Sequence, residues 1–366
     1  MHEKRIAGSV GMFDVIKGMG MAAIVFGHSF SVSPDLDAEI NAGYVAGWLL
    51  SSQVANVLMP AFFIISGYGF RKRPLAACIR QQAALMLKPY LYAMAGVTAL
   101  VFMTRLILFG SVRDALSATW SVTGGFLLAL PQNMEIGGRT FYFCGALWFM
   151  IALFIAWMVL DLIMEKISEP YQLLAVVIVF VSGWLTGIGR ITPYCVSQGM
   201  IAVLYLYIGY KCKKNKILLK RWTKKQWLCF SLSVLVGMCV TAFTGVRDSM
   251  ADGIWSAGPI SILLDACIAI WFLHVLLQLN RFSGRAWNGL AGIGRNSLYI
   301  FAIHSVEMHG IPWYLITEKM ADAEILSYAI ILVLRVLVIA LGVMLVKHRV
   351  SGGKWKIRKK QTHFFH

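Results

Sequence analysis

A lysine and a histidine interrupt DVIKGMGMAAIVFGHSF, an otherwise apolar stretch over residues 14–30. Lys17 and His28 are eleven residues apart, about three helical turns, which sets them on nearly one face and about 16 Å apart along a helix axis. Asp14 lies one turn before Lys17 and can pair with it. Ionisable side chains in a bilayer span face a bundle interior or a watered cavity, and an imidazole placed there can act as a general base near neutral pH. The same residues also fit a blander arrangement, with Lys17 snorkelling to the inner headgroups and His28 satisfying a core hydrogen bond.

Two further clusters carry polar residues into apolar runs. In FFIISGYGFRKR, Ser66, Gly67 and Tyr68 precede Arg71, Lys72 and Arg73. Small residues there suit helix packing followed by cytoplasmic anchors, and clustered Arg and Lys equally suit phosphates. In GIGRNSLYIFAIHSVEMH, Arg295, Asn296 and Ser297 open a segment that carries His304 and reaches Glu307 and His309. His304 and Glu307, spaced i,i+3, share a helix face, whereas His309 is out of phase with His304, which argues against a metal site built from the three. Asp265 is a further acid in an apolar run, either a partner for a buried base or a hydrogen-bonded packing residue. Nucleotide-binding glycine loops, the serine-hydrolase elbow and HExxH are not found in the sequence.

The elements that must position these groups are long and apolar. The 366 residues are 58% hydrophobic and 14% charged, with mean hydropathy +0.69, against about 25% charged in soluble domains. Runs of roughly 20 apolar residues recur, the signature of bilayer-spanning helices. The pattern predicts an all-α, polytopic transmembrane bundle of ten spans, near residues 13–30, 44–70, 82–109, 143–164, 171–187, 197–210, 226–244, 259–279, 291–306 and 325–346. The shorter, Gly-rich piece 118–130 is expected in an outer loop, re-entrant or not. Lys17 breaks any signal-peptide core, so the first run is read as a span.

Charge placement sets the orientation. With both termini cytoplasmic, roughly 25 of the 34 basic residues fall in the inner gaps, as the positive-inside rule requires. The net charge of +17 is therefore a membrane signature and gives no reason to expect nucleic acid. The seven cysteines form no CxxC pair and mostly lie in apolar runs, which speaks against a disulfide or zinc framework.

Taken together, FDVIKGMGMAAIVFGH, FFIISGYGFRKR, GALWFMIALF around Trp148 and Phe149, and IGRNSLYIFAIH resemble the acyltransferase-3 family of integral membrane acyltransferases, in particular its stand-alone, fucose-4-O-acetylase-like members. The motifs stand in the family's order, and the resemblance extends over essentially the whole chain, as a membrane domain over 1–350 with a basic cytoplasmic tail over 351–366. It implies an O-acyltransferase of the bacterial plasma membrane. The acyl group, commonly acetyl, would pass from cytoplasmic acyl-CoA to a hydroxyl of a cell-envelope glycan or lipid-linked sugar, with no metal.

The resemblance also implies roles. His28 would be the base, with Lys17, paired to Asp14, positioning the donor. Arg71, Lys72, Arg73 and Arg295, with Ser66 and Tyr68, would receive the donor's CoA. Trp148, Asn296, Ser297, His304 and Glu307 would face the acceptor. Many members carry Arg where this chain has Lys17, which keeps the charge and loses the planar fork. A secondary transporter of a small polar solute is the alternative, since intramembrane Lys, His and Asp also suit proton coupling. A non-catalytic partner in polysaccharide export is another.

Overall fold

The structure is a computed structural model that describes residues 11–30, 56–282, 284–320 and 323–352. It is built almost entirely of helices. They are α1 (Asp14–Phe30), α2 (Asn56–Tyr68), α3 (Leu75–Gln82), α4 (Lys88–Phe109), α5 (Val112–Leu127), α6 (Trp148–Lys166) and α7 (Glu169–Gly187), followed by α8 (Val196–Lys214), α9 (Lys224–Thr244), α10 (Pro259–Leu277), α11 (Arg285–Arg295), α12 (Ser297–Gly310), α13 (Tyr314–Lys319) and α14 (Glu324–Gly352). Between α5 and α6 a small antiparallel hairpin pairs β1 (Met134–Ile136) with β2 (Arg139–Phe141). Its turn is Gly137-Gly138, both at positive φ, the two-glycine chemistry that such a tight turn requires.

Among the described residues six helical segments are long and apolar enough to cross a bilayer: Leu75–Phe109, Gly145–Lys166, Glu169–Gly187, Lys224–Thr244, Pro259–Asn280 and Leu326–Lys347. The chain is a multi-pass membrane protein. Its apolar surface fits that solvent, since Leu228, Leu232, Leu235 and Phe243 of α9 are exposed and would be costly in water over such an extended patch. The centre lies elsewhere. In α6, 67% of the apolar window is buried, against 11% in α9 and 17% in α14. α6 and α8 therefore form the packed middle, and α9 and α14 lie outside.

Local chemistry explains the main irregularities. α3 and α4 run together through a π-helical turn at Ala83–Leu87. Pro89 follows in the first turn of α4, where its missing N–H leaves the regular ladder one bond short. Gly110 ends α4 in the left-handed region at φ 68°, and a reciprocal Thr223–Gln226 capping box starts α9.

Two sequence expectations are revised. The piece 118–130, expected in a loop, is mostly the second half of α5. Thr98 and Thr123 share a hydrogen bond at 2.9 Å, and the Tyr90 hydroxyl donates to the Phe126 carbonyl at 2.6 Å, so α5 folds back antiparallel along α4. Residues 291–306, expected as one span, are divided between α11 and α12 by a break at Asn296. The side chain of Asn296 caps the end of α11 through the Gly292 carbonyl at 2.6 Å while its own carbonyl accepts from Ile300, the local competition with helical bonding that Asn is suited to. The first part of the expected span 44–70, the acidic gap before it and the basic tail from residue 353 lie outside the described residues.

Candidate functional site

α12 supplies the core of the site. One helical turn separates His304 from Glu307, and their side chains meet, with His304 Nδ1 donating to Glu307 Oε1 at 2.6 Å. Beyond the end of α12 the chain turns through Pro312, and Trp313 Nε1 donates to the other carboxylate oxygen, Oε2, at 2.6 Å. From α14, Arg335 brings its Nε to 3.7 Å from the same Oε2 and sets its guanidinium 5.5 Å from the Trp313 ring centre. All four are buried: His304 is 0% exposed, Glu307 and Arg335 1% and Trp313 6%. A carboxylate held so far from water persists through such donors and an opposite charge.

This bonding fixes the imidazole. With Nδ1 committed to Glu307, the Nε2 of His304 is buried and has no hydrogen-bond partner among the described residues. The ring of His28, at the C-terminal end of α1, stands 5.4 Å from that of His304, centre to centre, at 41°. Arg335, His309 and Arg247 also act electrostatically on His28. α1, α12 and α14 thus converge on one cluster, buried at His304, Glu307 and Arg335 and half-buried at His28. His309 is held apart from the Glu307 pairing: its Nδ1 donates to the Ser305 carbonyl at 2.8 Å and its ring meets Phe126 and Phe143 edge-on. Gly145 makes that arrangement possible, because a Cβ there would collide with the His309 ring.

The N-terminal end of α1 carries a second, more open set of charges. Lys17 Nζ pairs with Asp14 Oδ1 at 2.8 Å, and Arg295 Nη1 approaches Asp14 Oδ2 at 4.0 Å. Backbones touch here: a Cβ on Gly18 would strike the Leu290 carbonyl, and one on Gly294 the Asp14 carbonyl, so these glycines let α11 lie directly on α1. Tyr68, at the end of α2, meets Phe13 edge-on at 5.2 Å, which ties the following RKR run to this end of α1.

Within that run Arg73 is held in place. Its backbone N–H donates to Asp161 Oδ1 at 3.4 Å, its Nε donates to the Arg71 carbonyl at 3.2 Å and its Nη1 bonds Gln81. Its guanidinium lies 5.6 Å from the Trp157 ring centre. Lys72 lies instead on a cleft of ≈ 410 Å³ with Glu165, Lys166, Glu169 and Tyr210.

Other sequence-singled residues serve packing. Ser66 accepts a hydrogen bond from Trp157 Nε1 at 2.8 Å, and a Cβ on Gly67 would strike the Leu206 carbonyl, so this stretch is where α2 meets α6 and α8. Trp148 is 7% exposed and lies edge-on to Phe149, itself against Phe63 and Phe301. Asn296 and Ser297 form the break before α12 and are not joined to the histidine cluster by any hydrogen bond found among the described residues. Asp265 is buried in α10, where it acts on Tyr205 and lies within the field of Asp248.

The sequence reading missed Arg335 and Trp313. Arg335 had a signal, as an Arg inside the Leu326–Lys347 segment of hydropathy 3.0. Trp313 had none, since a tryptophan after a helix end is ordinary in a membrane protein.

An arrangement of two neighbouring imidazoles, one backed by a buried carboxylate, can accept and pass on a proton away from bulk water. No curated protein and no solved structure gives a match to this chain. The acyltransferase-3 family model, described as an acyltransferase domain, matches residues 11–346, taking in α1 with His28, the RKR run, α12 and the membrane part of α14, and on that near-complete match the chain belongs to the acyltransferase-3 family.

Proposed function

We propose that this membrane acyltransferase moves an acyl group, acetyl in the simplest case, from cytoplasmic acyl-CoA to a hydroxyl of a cell-envelope glycan or lipid-linked sugar. The observation that carries the reading is the pairing of His28 with a His304 whose other face is locked to buried Glu307. A sugar hydroxyl is a poor nucleophile until a base takes its proton. In this reading His28 takes that proton as the hydroxyl oxygen attacks the thioester carbon. The C–S bond then breaks, and the CoA sulfur leaves with the proton returned by the imidazolium. Glu307, bonded to His304 Nδ1, holds that neighbouring imidazole in one orientation beside His28.

Donor and acceptor enter from opposite sides. Lys17, Arg71, Arg73 and Arg295 would receive the phosphates of CoA at the cytoplasmic end of α1, and the thioester arm would extend along α1 toward His28. Lys72, Ser66 and Tyr68 would border the donor's entrance, with Asp14 holding Lys17 in place. Trp148 would border the acceptor's path, and Asn296 and Ser297 would set the angle at which α12 presents His304.

The experiment is transfer from labelled acetyl-CoA in inside-out membrane vesicles, comparing wild type with His28→Ala at matched expression. Label should enter a glycan or lipid-linked fraction with wild type alone. The reading fails if purified, folded protein in liposomes moves no acyl group from any acyl-CoA tested to any supplied glycan acceptor. Solute flux independent of CoA would then favour a carrier.

A further inference from the structure

We infer that Arg335 is the catalytic electrophile of this site, donating to the oxygen of the acyl carbonyl as that oxygen becomes negatively charged. The inference rests on the acyl-transfer reading above and assigns a role to a residue outside the sequence motifs.

Arg335 is a charged side chain, 1% exposed, within an otherwise strongly apolar segment. Its Nε and Nη1 are buried and have no hydrogen-bond partner among the described residues. A guanidinium placed in an apolar interior is costly, and leaving its donors unmade adds to that cost. The neighbouring carboxylate does not relieve it. Glu307 receives 2.6 Å bonds from His304 and from Trp313, while Arg335 stays at 3.7 Å, beyond hydrogen-bond length.

Glu307 therefore balances the charge of Arg335 without using its donors. The Trp313 ring, 5.5 Å from the guanidinium, supports it from one side. What remains are the N–H donors of Nε and Nη1, buried next to the carboxylate that holds His304, on a guanidinium that also acts electrostatically on His28.

Acyl transfer supplies the matching partner. As the acceptor oxygen bonds to the thioester carbon and His28 takes its proton, the carbonyl π electrons move onto oxygen. That oxyanion needs donors already in place, where little water competes. It collapses to re-form C=O as the C–S bond breaks, and the CoA sulfur leaves as a thiol with the proton that His28 returns. Donors left open in the resting protein and engaged in the transition state raise kcat without tightening substrate binding. A purely structural Arg335 would instead be expected to close on Glu307 at hydrogen-bond distance.

The test uses the full-length chain in liposomes, with acetyl-CoA and with its dithioester analogue, in which sulfur replaces the carbonyl oxygen. Arg335→Gln should lower kcat on the order of 10²–10³-fold, the range for removing one oxyanion donor, while the Kd for acetyl-CoA stays near the wild-type value. Arg335→Lys should recover part of the rate. The wild-type preference for oxygen over sulfur should shrink in both variants, an effect that loss of folding or of acceptor binding does not produce.

If Arg335→Gln fails to fold, the double change Glu307→Gln/Arg335→Gln removes both buried charges. Its oxygen-over-sulfur preference, compared with that of Glu307→Gln alone, then carries the test. A transferring wild type whose Arg335 variants keep its kcat, or keep its oxygen preference, overturns this assignment and leaves the enzyme reading standing. A wild type that transfers nothing overturns both.

Discussion

The two ends of α1 hold similar residue types in different states. At its C-terminal end, His304, Glu307, Trp313 and Arg335 are buried and joined by two 2.6 Å hydrogen bonds and a close charge pair. At its N-terminal end, the Lys17 side chain is 29% exposed and that of Arg295 57%, and Arg295 meets Asp14 only at 4.0 Å. Charges in the first set interact strongly, because little water screens them, while those in the second are softened by solvent and salt. Chemistry at a thioester requires the first condition, since a base misplaced by about 1 Å can cost 10²-fold. Capture of a mobile polyanion requires only the second. On the acyl-transfer reading proposed above, the buried end would carry catalysis and the open end donor docking, and substitutions can separate them.

The largest effect is expected at His28. His28→Ala should lower kcat by about 10²–10⁴-fold, the usual contribution of a general base, with acyl-CoA binding retained. Equal transfer by variant and wild type would move the base to His304 and leave His28 as a packing residue. Glu307→Gln should come next, with a loss of about 10²-fold from an imidazole no longer held in one orientation. It should also lower stability by about 3–5 kcal/mol, because Arg335 then keeps a buried charge without its counter-ion. Thermal unfolding of the purified protein, measured beside its kinetics, separates the two. Lost stability with an unchanged rate per folded molecule would make Glu307 a structural ion and remove it from the reaction.

Much of this geometry was legible in the sequence, for local reasons. A helix converts the eleven-residue spacing of Lys17 and His28 into opposite ends of one face, and the three-residue spacing of His304 and Glu307 into contact. Those relations depend only on helical geometry, and hydropathy located the helices. Other features depend on tertiary packing. Nothing local links Arg335 to Glu307, 28 residues earlier, because only the packing of α14 against α12 brings them together. The break at Asn296 was hidden because apolar residues lie on both sides of it. The return of α5 along α4 was hidden because a Gly-rich, moderately apolar stretch reads equally as loop or helix. The small residues of FFIISGYG had two readings, and the structure gives Ser66 and Gly67 packing contacts.

At the docking end the effects should be smaller and of another kind. Arg73→Gln should raise KM for acyl-CoA about tenfold, the scale of one charge-assisted hydrogen bond, and leave kcat largely intact. The KM difference between wild type and variant should narrow as ionic strength rises, because salt screens what the arginine contributes. A fall in kcat at unchanged KM would instead tie the Arg73–Gln81–Asp161 contacts to the geometry of the distant histidines, and the two ends would no longer be separable.

The smallest expected effect gives the finest division within that end. Ser66 spends its hydroxyl on Trp157 Nε1 at 2.8 Å, and Trp157 in turn lies beside the Arg73 guanidinium. If Ser66 serves only to hold this tryptophan, Ser66→Ala should cost about 1 kcal/mol of stability, the net worth of a hydrogen bond. KM for acyl-CoA should then stay near wild type, because Gln81 and the Arg71 carbonyl still hold Arg73. A rise in KM matching that of Arg73→Gln, with no change in unfolding temperature, would instead place the Ser66 hydroxyl on the donor. The comparison between α1's two ends would then be sharper, because packing residues and donor-binding residues would coincide at the open end, whereas at the buried end, among the described residues, Glu307 is committed to His304 and Trp313 while His304 Nε2 and two Arg335 nitrogens have no hydrogen-bond partner.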